Sequence, residues 1–273
     1  MGWLQKTKKF IFLKSGLMNL KKYIELSNDY KSKSQKTRVF TEPFVEENFY
    51  CPYCGADLIG CKNNDKVRDF DCSKCNENYE LKSKQGKSLG KKVADGAYSA
   101  MIERINSNSN PNFYFLNYDK ANFDVINFCA VPKYFFVPQI IEKRKPLSQN
   151  AKRAGWIGCN IFLEQIPNSG KIFYIKDKEI ISKSKVLDDW NKTLFLKEPN
   201  SIQAKGWLLD TMMCIEQLNK KSFSRQELLN FIPYLQAKYP NNLNIGQKIS
   251  QQLQILRDKG FLKFTNRGNY EVI

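Results

Sequence analysis

Two cysteine pairs constrain this chain more than any other feature. Cys51-Pro52-Tyr53-Cys54 and Cys72-Ser73-Lys74-Cys75 form a C-x2-C…C-x2-C set with seventeen residues between the pairs. A C-x2-C turn offers two sulfurs at a separation that suits one ion, and zinc binds thiolates tetrahedrally. Two such turns close a four-thiolate site that keeps no open position for a substrate, so the predicted role is structural. A redox role for either pair needs a strand-to-helix context that Pro52 and Gly55 do not supply. Threaded through the same stretch are Asp69 and, after ten intervening residues, Glu80-Leu81-Lys82.

The chain has no histidine. Ser-His and Cys-His nucleophile systems, His-ligated zinc hydrolysis and histidine general bases are thereby excluded. Catalysis near neutral pH must rest on carboxylates, lysine, tyrosine, cysteine or a metal ion. With 42% apolar and 13% aromatic residues in 273, a packed core is expected rather than disorder. Lys and Arg outnumber Asp and Glu by 44 to 27, a charge of +17 that attracts polyanions, nucleic acid above all. The alternative is a basic protein whose coding bias favours Lys, Asn and Ile. The run Phe10–Leu13, bracketed by Lys9 and Lys14, is too short for an export signal or a membrane span. The expectation is a cytoplasmic protein with no membrane partner, whose eight cysteines are reduced and therefore available to metal.

Apolar spacing suggests a helix around Leu20–Tyr30 and another near Thr41–Phe49, with Thr41 as N-cap and Pro43 in the first turn. Runs at 112–118, 125–131, 156–163 and 171–176 read as strands, and 94–106 as a helix, which together make an α/β pattern. Glu198-Pro199-Asn200-Ser201 is a break, dividing a domain of residues 1–198 from one of 199–273. Beyond it come a helix over 207–219, a second opened by a Ser224–Glu227 capping box, and a third capped by Asn244 and closed by Gly260. Two short strands flank Asn266-Arg267-Gly268-Asn269, a hairpin turn. Three helices and a hairpin spell a winged helix; a small structural bundle is the alternative. Cys61, Cys129, Cys159 and Cys214 lack paired spacing and are expected to be buried apolar residues.

On a strand, Glu80 and Lys82 project to one face. If Asp69 ends a neighbouring strand, two carboxylates and an ammonium converge. Such carboxylates can hold Mg²⁺, whose preference for oxygen suits phosphate chemistry, while the lysine orients a water or balances transition-state charge. The same spacing also arises on a solvated strand face, and Asp71, Glu77 and Lys84 are close neighbours of the same residue types.

Several stretches, in order, resemble the DpnI family of methyl-directed restriction endonucleases. They are Tyr50-Cys51-Pro52-Tyr53-Cys54-Gly55, Asp69-Phe70-Asp71-Cys72, Glu80-Leu81-Lys82-Ser83-Lys84 and Asp95-Gly96-Ala97-Tyr98. Asn110-Pro111-Asn112-Phe113, Arg144-Lys145-Pro146-Leu147, residues 153–160 and residues 251–259 continue the series. The resemblance runs from about Met18 to the C-terminus, leaving residues 1–17 as an extension without assigned function. It implies a PD-(D/E)XK restriction-endonuclease-like core with an inserted four-cysteine zinc site, followed by a small winged-helix domain that also reads DNA. It implies cleavage of both strands at G-A-T-C when the adenine carries an N6-methyl group. Carried over, Asp69, Glu80 and Lys82 match the catalytic set, Cys51, Cys54, Cys72 and Cys75 the zinc ligands, and Trp156 the methyl-reading tryptophan. Arg68 stands where the motif has proline.

An N6-methyl group is an apolar bump in the major groove, which calls for an aromatic or aliphatic wall. Trp156 follows Arg153 and the basic run Lys143-Arg144-Lys145, whose cations can hold phosphates; a core residue at a strand start is the alternative for it. On the third helix of the winged domain Asn244, Gln247, Lys248 and Gln251 face outward, with Arg267 on the wing, and are the expected DNA contacts. The reading is a Mg²⁺-dependent, zinc-stapled endonuclease for adenine-methylated double-stranded DNA, monomeric at rest, with cutting by one molecule in two steps or by two molecules together both open. Its rivals are a zinc-containing winged-helix regulator without nuclease activity and a nuclease indifferent to methylation.

Overall fold

The computed structural model of the protein describes residues 18–61, 68–107, 109–198 and 201–273. The opening segment 1–17, with Phe10–Leu13, lies outside the described residues, as do Pro199 and Asn200 of the predicted break. Helices α1 (Lys21–Ile24) and α2 (Lys33–Asn48) come first. Strands β1 (Leu58–Gly60), β2 (Phe70–Cys72), β3 (Asn78–Gln85) and β4 (Lys92–Ala97) lead to α3 (Tyr98–Asn106). Next are β5 (Asn112–Tyr118), β6 (Val125–Val131), β7 (Ile141–Lys143), β8 (Gly158–Phe162), β9 (Ile172–Lys176) and β10 (Glu179–Ile180). Helices α4 (Lys183–Asn191) and α5 (Ile202–Gln217) follow, then β11 (Ser222–Ser224), α6 (Arg225–Leu229), α7 (Ile232–Lys238) and α8 (Ile245–Asp258). A hairpin of β12 (Leu262–Asn266) and β13 (Asn269–Val272) ends the chain.

The chain forms two compact units. One takes the described residues up to Leu89 together with Asn110–Lys133 and Ile172–Asn191; the other takes Gly90–Ser109, Tyr134–Lys171 and Lys192–Ile273.

The first unit is built on a seven-stranded sheet ordered β1-β2-β3-β5-β6-β9-β10, in which β3 and β5 run parallel. Every residue of β5 is buried, as expected of an aromatic run inside a sheet. Tyr114 stacks on Tyr79 at 4.7 Å and lies 5.1 Å from Phe128, while Phe49 meets Phe128 at 4.4 Å. α2 adds buried Phe40, Phe44 and Val45, and α4 adds Trp190. The helix predicted from Thr41 instead starts at Lys33, placing Thr41 in its interior with Oγ1 donating to the Thr37 carbonyl at 2.8 Å, and Pro43 inside as well. An interior proline costs about 3 kcal/mol. Burial of Phe40, Phe44 and Val45 returns roughly 1.5–3 kcal/mol each, so packing wins over local propensity. The predicted helix over Leu20–Tyr30 shrinks to α1 and a 3-10 turn, because Leu20 and Tyr23 are buried but Leu26 is exposed.

In the second unit β4, β8 and β7 form an antiparallel sheet, ordered β4-β8-β7, beside α3. The helix expected over 94–106 begins only at Tyr98, since residues up to Ala97 pair with β8. The C-terminal segment is the expected winged helix: α5, the α6–α7 pair, α8 and a three-stranded sheet β11-β13-β12. Ser201 caps α5 by accepting the Ala204 N–H at 3.1 Å, which moves its start upstream of the predicted 207. The Ser224–Glu227 capping box is present. α8 ends before Gly260 at φ +75°, and Gly268 at φ +80° turns the wing. Trp207, Leu208, Ile215, Leu228, Leu235, Ile249, Leu253 and Leu256 are its buried apolar set. The protein is a mixed α/β fold with a C-terminal helix-turn-helix segment.

Candidate active site and metal centre

The two cysteine pairs lie on matched turns. Gly55 follows the first pair at φ +73° and Asn76 follows the second at φ +58°, two residue types that tolerate the left-handed region. Backbone N–H groups of Cys51 and Cys72 bond the Ala56 and Glu77 carbonyls, both at 2.8 Å, closing the turns. The four sulfurs lie within 4.8 Å of one another, with Cys51–Cys75 at 3.5 Å and Cys54–Cys72 at 3.4 Å. A tetrahedral ion with metal–sulfur bonds of about 2.3 Å needs sulfurs about 3.7 Å apart, so this donor set fits. Amide N–H groups of Lys74 and Cys75 point at the Cys72 sulfur, each at 3.4 Å. Burial pushes the Cys51 thiol up to about 12. At Cys72 burial acts the same way but is outweighed by the Cys75 and Lys74 N–H groups, and the thiol is lowered. Burial also holds the Tyr79 hydroxyl well above its usual range, so it stays protonated beside the Cys51 sulfur at 3.0 Å. The cluster can hold a metal ion. Cys129, Cys159 and Cys214 are buried as expected; Cys61 is not, and its thiol faces the Asp71 carboxylate at 3.5 Å.

Tyr79 and Glu80 are consecutive on β3 and so face opposite sides of the sheet. β2 pairs with β3 through Phe70↔Tyr79 and Asp71↔Asn78, and Asp69 stands one step before β2. Its N–H donates to the Tyr79 carbonyl at 2.8 Å, and its Oδ2 accepts the Leu81 N–H at 2.7 Å. The Asp69 carboxylate is therefore bonded to the backbone between Glu80 and Lys82. Lys82 Nζ meets Glu80 Oε1 at 2.5 Å and sits 5.9 Å from the centre of the Phe113 ring. These side chains are mostly covered, with 14% of Asp69, 15% of Glu80 and 17% of Lys82 exposed. Of the neighbours with similar chemistry, Glu77 is buried on Asn112 (2.9 Å) and Lys133 (3.3 Å), and Asp71 pairs with Arg68 at 3.4 Å. Burial lowers the Lys84 ammonium.

Sequence reasoning missed two members of this cluster. Arg38 and Glu42, one turn apart on α2, meet through Nε–Oε1 at 2.5 Å, and Arg38 reaches Asp69 Oδ1 at 3.5 Å. Glu42 hydrogen-bonds Asp69, and its carboxyl is pushed up to about 7, first by burial and then by the Asp69 charge. Three carboxylates thus stand together against two cations. The i, i+4 pairing was readable once the helix was extended back to Lys33; starting it at Thr41 hid the pair.

In the second unit the Trp156 ring lies over Gly158, where an added Cβ would come within 2.8 Å of it. The Arg153 guanidinium also stands over it, 4.6 Å from the ring centre. Gly155 turns the loop at φ +77°. Asn244, Gln247, Gln251 and Arg267 are exposed, and Lys248 is half-buried, bonding Gln251 at 2.8 Å.

The model of the DpnI, Dam-replacing family matches residues 18–199, and that of the Dam-replacing HTH domain matches residues 203–272. The class is a nuclease acting on DNA, joined to a DNA-binding helix-turn-helix domain. Nearly the whole chain is covered, and the chain belongs to the Dam-replacing family.

Proposed function

We propose that this protein is a Mg²⁺-dependent type II restriction endonuclease that cuts both strands of DNA at G-A-T-C when the adenine is N6-methylated. The observation that carries the reading is the meeting of Asp69, Glu80 and Lys82 at the β2–β3 pair. In this reading Asp69 and Glu80 are the ligands of Mg²⁺ in a PD-(D/E)XK core. When bound, the ion supplies Lewis-acid polarisation of the scissile phosphate and a water of lowered pKa. Lys82 gives up its contact with Glu80 to orient the attacking water and to balance charge as it develops on the phosphate. Arg38 and Glu42 are positioning residues that fix Asp69. Zn²⁺ is the ion proposed for Cys51, Cys54, Cys72 and Cys75, where it staples the turns that flank β2. Trp156 and Arg153 read the methylated base edge and its phosphates, and Asn244, Gln247, Lys248, Gln251 and Arg267 contact the duplex from the winged helix.

The domains proposed are a nuclease domain of 1–198 and a winged-helix domain of 199–273, in a cytoplasmic protein that is monomeric at rest. Among the described residues no helix is long and apolar enough to cross a membrane.

One plasmid prepared with and without adenine methylation tests the reading in the presence of Mg²⁺. Cutting confined to the methylated copy is expected. Equal cutting of both copies would reject methyl direction in favour of an indifferent nuclease. Tight binding with no cutting of either would leave the winged-helix regulator.

A further inference from the structure

Glu80, Lys82 and Lys84 alternate with Leu81 and Ser83 along β3, so all three charged side chains stand on one face of the sheet. The first two belong to the carboxylate cluster, where Lys82 meets Glu80 at 2.5 Å. Lys84 does not. Burial lowers its ammonium and is the one cause acting on it, so no carboxylate offsets the water it has lost. Among the described residues it makes neither an ion pair nor a hydrogen bond. An exposed lysine without a partner is ordinary. Lys84 is half-buried, and a covered charge without a counter-ion is unfavourable.

The backbone beneath it is held firmly. β3 pairs with β5 through Lys84↔Asn117, and the Asn117 amide is already committed. Its Nδ2 donates to the Gly86 carbonyl at 2.7 Å, and its Oδ1 accepts Asn127 Nδ2 at 3.0 Å. The Gly86 N–H donates to the Tyr118 carbonyl at 3.0 Å. The strand is thus clamped to β5 just beyond Lys84. On its other edge, β2 pairs with β3 no further along than Tyr79, so β2 does not cover the edge beside Lys84.

A half-buried ammonium on a fixed strand, next to a site for phosphate chemistry, calls for an anion from outside the protein. Lys84 comes about 6.6 Å after Lys82 along the strand, a step comparable with that between neighbouring phosphates of one DNA strand. A lysine is a compact charge on a flexible stem, suited to a phosphate oxygen and indifferent to the base. Resting on the function proposed above, in which Asp69, Glu80 and Lys82 act on the scissile phosphate, we propose that Lys84 holds the neighbouring phosphate of the same strand. It thereby fixes that strand for in-line attack.

The test is single-turnover cutting, by saturating full-length protein with Mg²⁺, of a duplex carrying N6-methylated G-A-T-C. A companion series of duplexes replaces one phosphate at a time, across the site and its flanks, with an uncharged methylphosphonate. Lys84→Ala should cut the all-phosphate duplex about tenfold to a hundredfold more slowly than wild type. Its melting midpoint should hold, because no internal bond is lost. Lys84→Gln, which keeps most of the stem, should be as slow, and Lys84→Arg, which keeps the charge, should recover part of the rate. A methylphosphonate beside the cut linkage should slow wild type by a similar factor but slow Lys84→Ala by no more than about twofold. A Lys84→Ala rate equal to that of wild type overturns the proposal. So do losses that add fully at every position, or a failure to add at a phosphate that does not adjoin the cut. With wild type cutting the methylated duplex, those results leave the proposed function standing. A wild-type protein that cuts no duplex removes both.

Discussion

The thiol cluster and the carboxylate cluster meet opposite faces of β3, and they are opposite kinds of site. Tyr79 touches a cysteine sulfur at 3.0 Å, while Glu80, next along β3, meets Lys82 at 2.5 Å on the other face. Around the sulfurs everything is closed: four donors within 4.8 Å of one another and backbone N–H groups aimed at Cys72. Around Asp69 the compensation is partial, since three carboxylates face Arg38, Lys82 and one backbone N–H. A closed set of ligands makes a scaffold. A partly compensated set of carboxyl groups is, on the function proposed above, the one suited to an ion and a phosphate. β3 faces both clusters because its side chains alternate, Tyr79 toward the sulfurs and Glu80 toward Lys82.

The largest expected effect breaks the scaffold side. Structural zinc contributes apparent binding energies of about 10–16 kcal/mol, comparable to or above the whole stability of a domain. Cys72→Ser, or extraction with a strong chelator, should therefore lower the melting midpoint by more than about 10 °C and abolish cutting. Metal analysis should show one zinc per chain lost. A chelated protein that melts as before would mean that the turns stand without an ion.

Lys82→Ala acts on the other side. Cutting of methylated plasmid should fall about a thousandfold, while the melting midpoint falls by less than in the cysteine variant, since Glu80 loses its ion pair but the fold keeps its staple. Loss of stability comparable with the cysteine variant would erase the distinction between the two clusters. Glu42→Gln is a smaller step, because on the function proposed above Glu42 acts on the chemistry only through Asp69. A loss of about tenfold to a hundredfold in rate is expected, with a raised Mg²⁺ requirement that excess Mg²⁺ partly restores. A change in rate that no Mg²⁺ concentration moves would remove Glu42 from the ion's surroundings.

How much of this was legible depends on the range of the forces involved. C-x2-C spacing, the aromatic runs of β5 and β6, the Ser224 capping box and the wing turn at Gly268 are local, and their outlines stand in the chain as written. α2 was misread because Thr41 and Pro43 carry strong local signals for a helix start, which burial of Phe40, Phe44 and Val45 overrides. That error concealed Arg38 and Glu42, whose meaning comes from Asp69, a residue that only the strand pairing brings near. The lack of a cap bond at Asn244 was equally invisible: the residue type predicted a cap, and its side chain makes none at φ −125°, ψ 47°. β4 was absorbed into the following helix because its partner β8 lies more than sixty residues downstream.

The smallest effect sharpens the comparison with a carboxylate that is fully committed. Glu227 closes the cap of α6, accepting the Ser224 N–H at 2.8 Å and its hydroxyl at 3.0 Å, while its other oxygen takes Lys220 at 2.6 Å. Lys220 first, and then the Ser224 N–H, hold its carboxyl down at about 2, against an ordinary 4.5. A depressed folded value means that the stabilisation is complete above the unfolded value and fades as pH falls toward the folded one. Glu227→Gln should therefore melt a few degrees below wild type from neutral pH down to about 4.5. The gap should narrow as pH drops from there toward about 2, in paired melting curves, and cutting at neutral pH should be unchanged. Glu227 has both oxygens committed to Ser224 and Lys220, whereas Asp69 stands beside two further carboxyl groups, one of which, Glu42, is held up to about 7. A gap that stayed constant through the acid range would show that Glu227 acts through shape alone, and the contrast between spent and unspent carboxylates would lose its control.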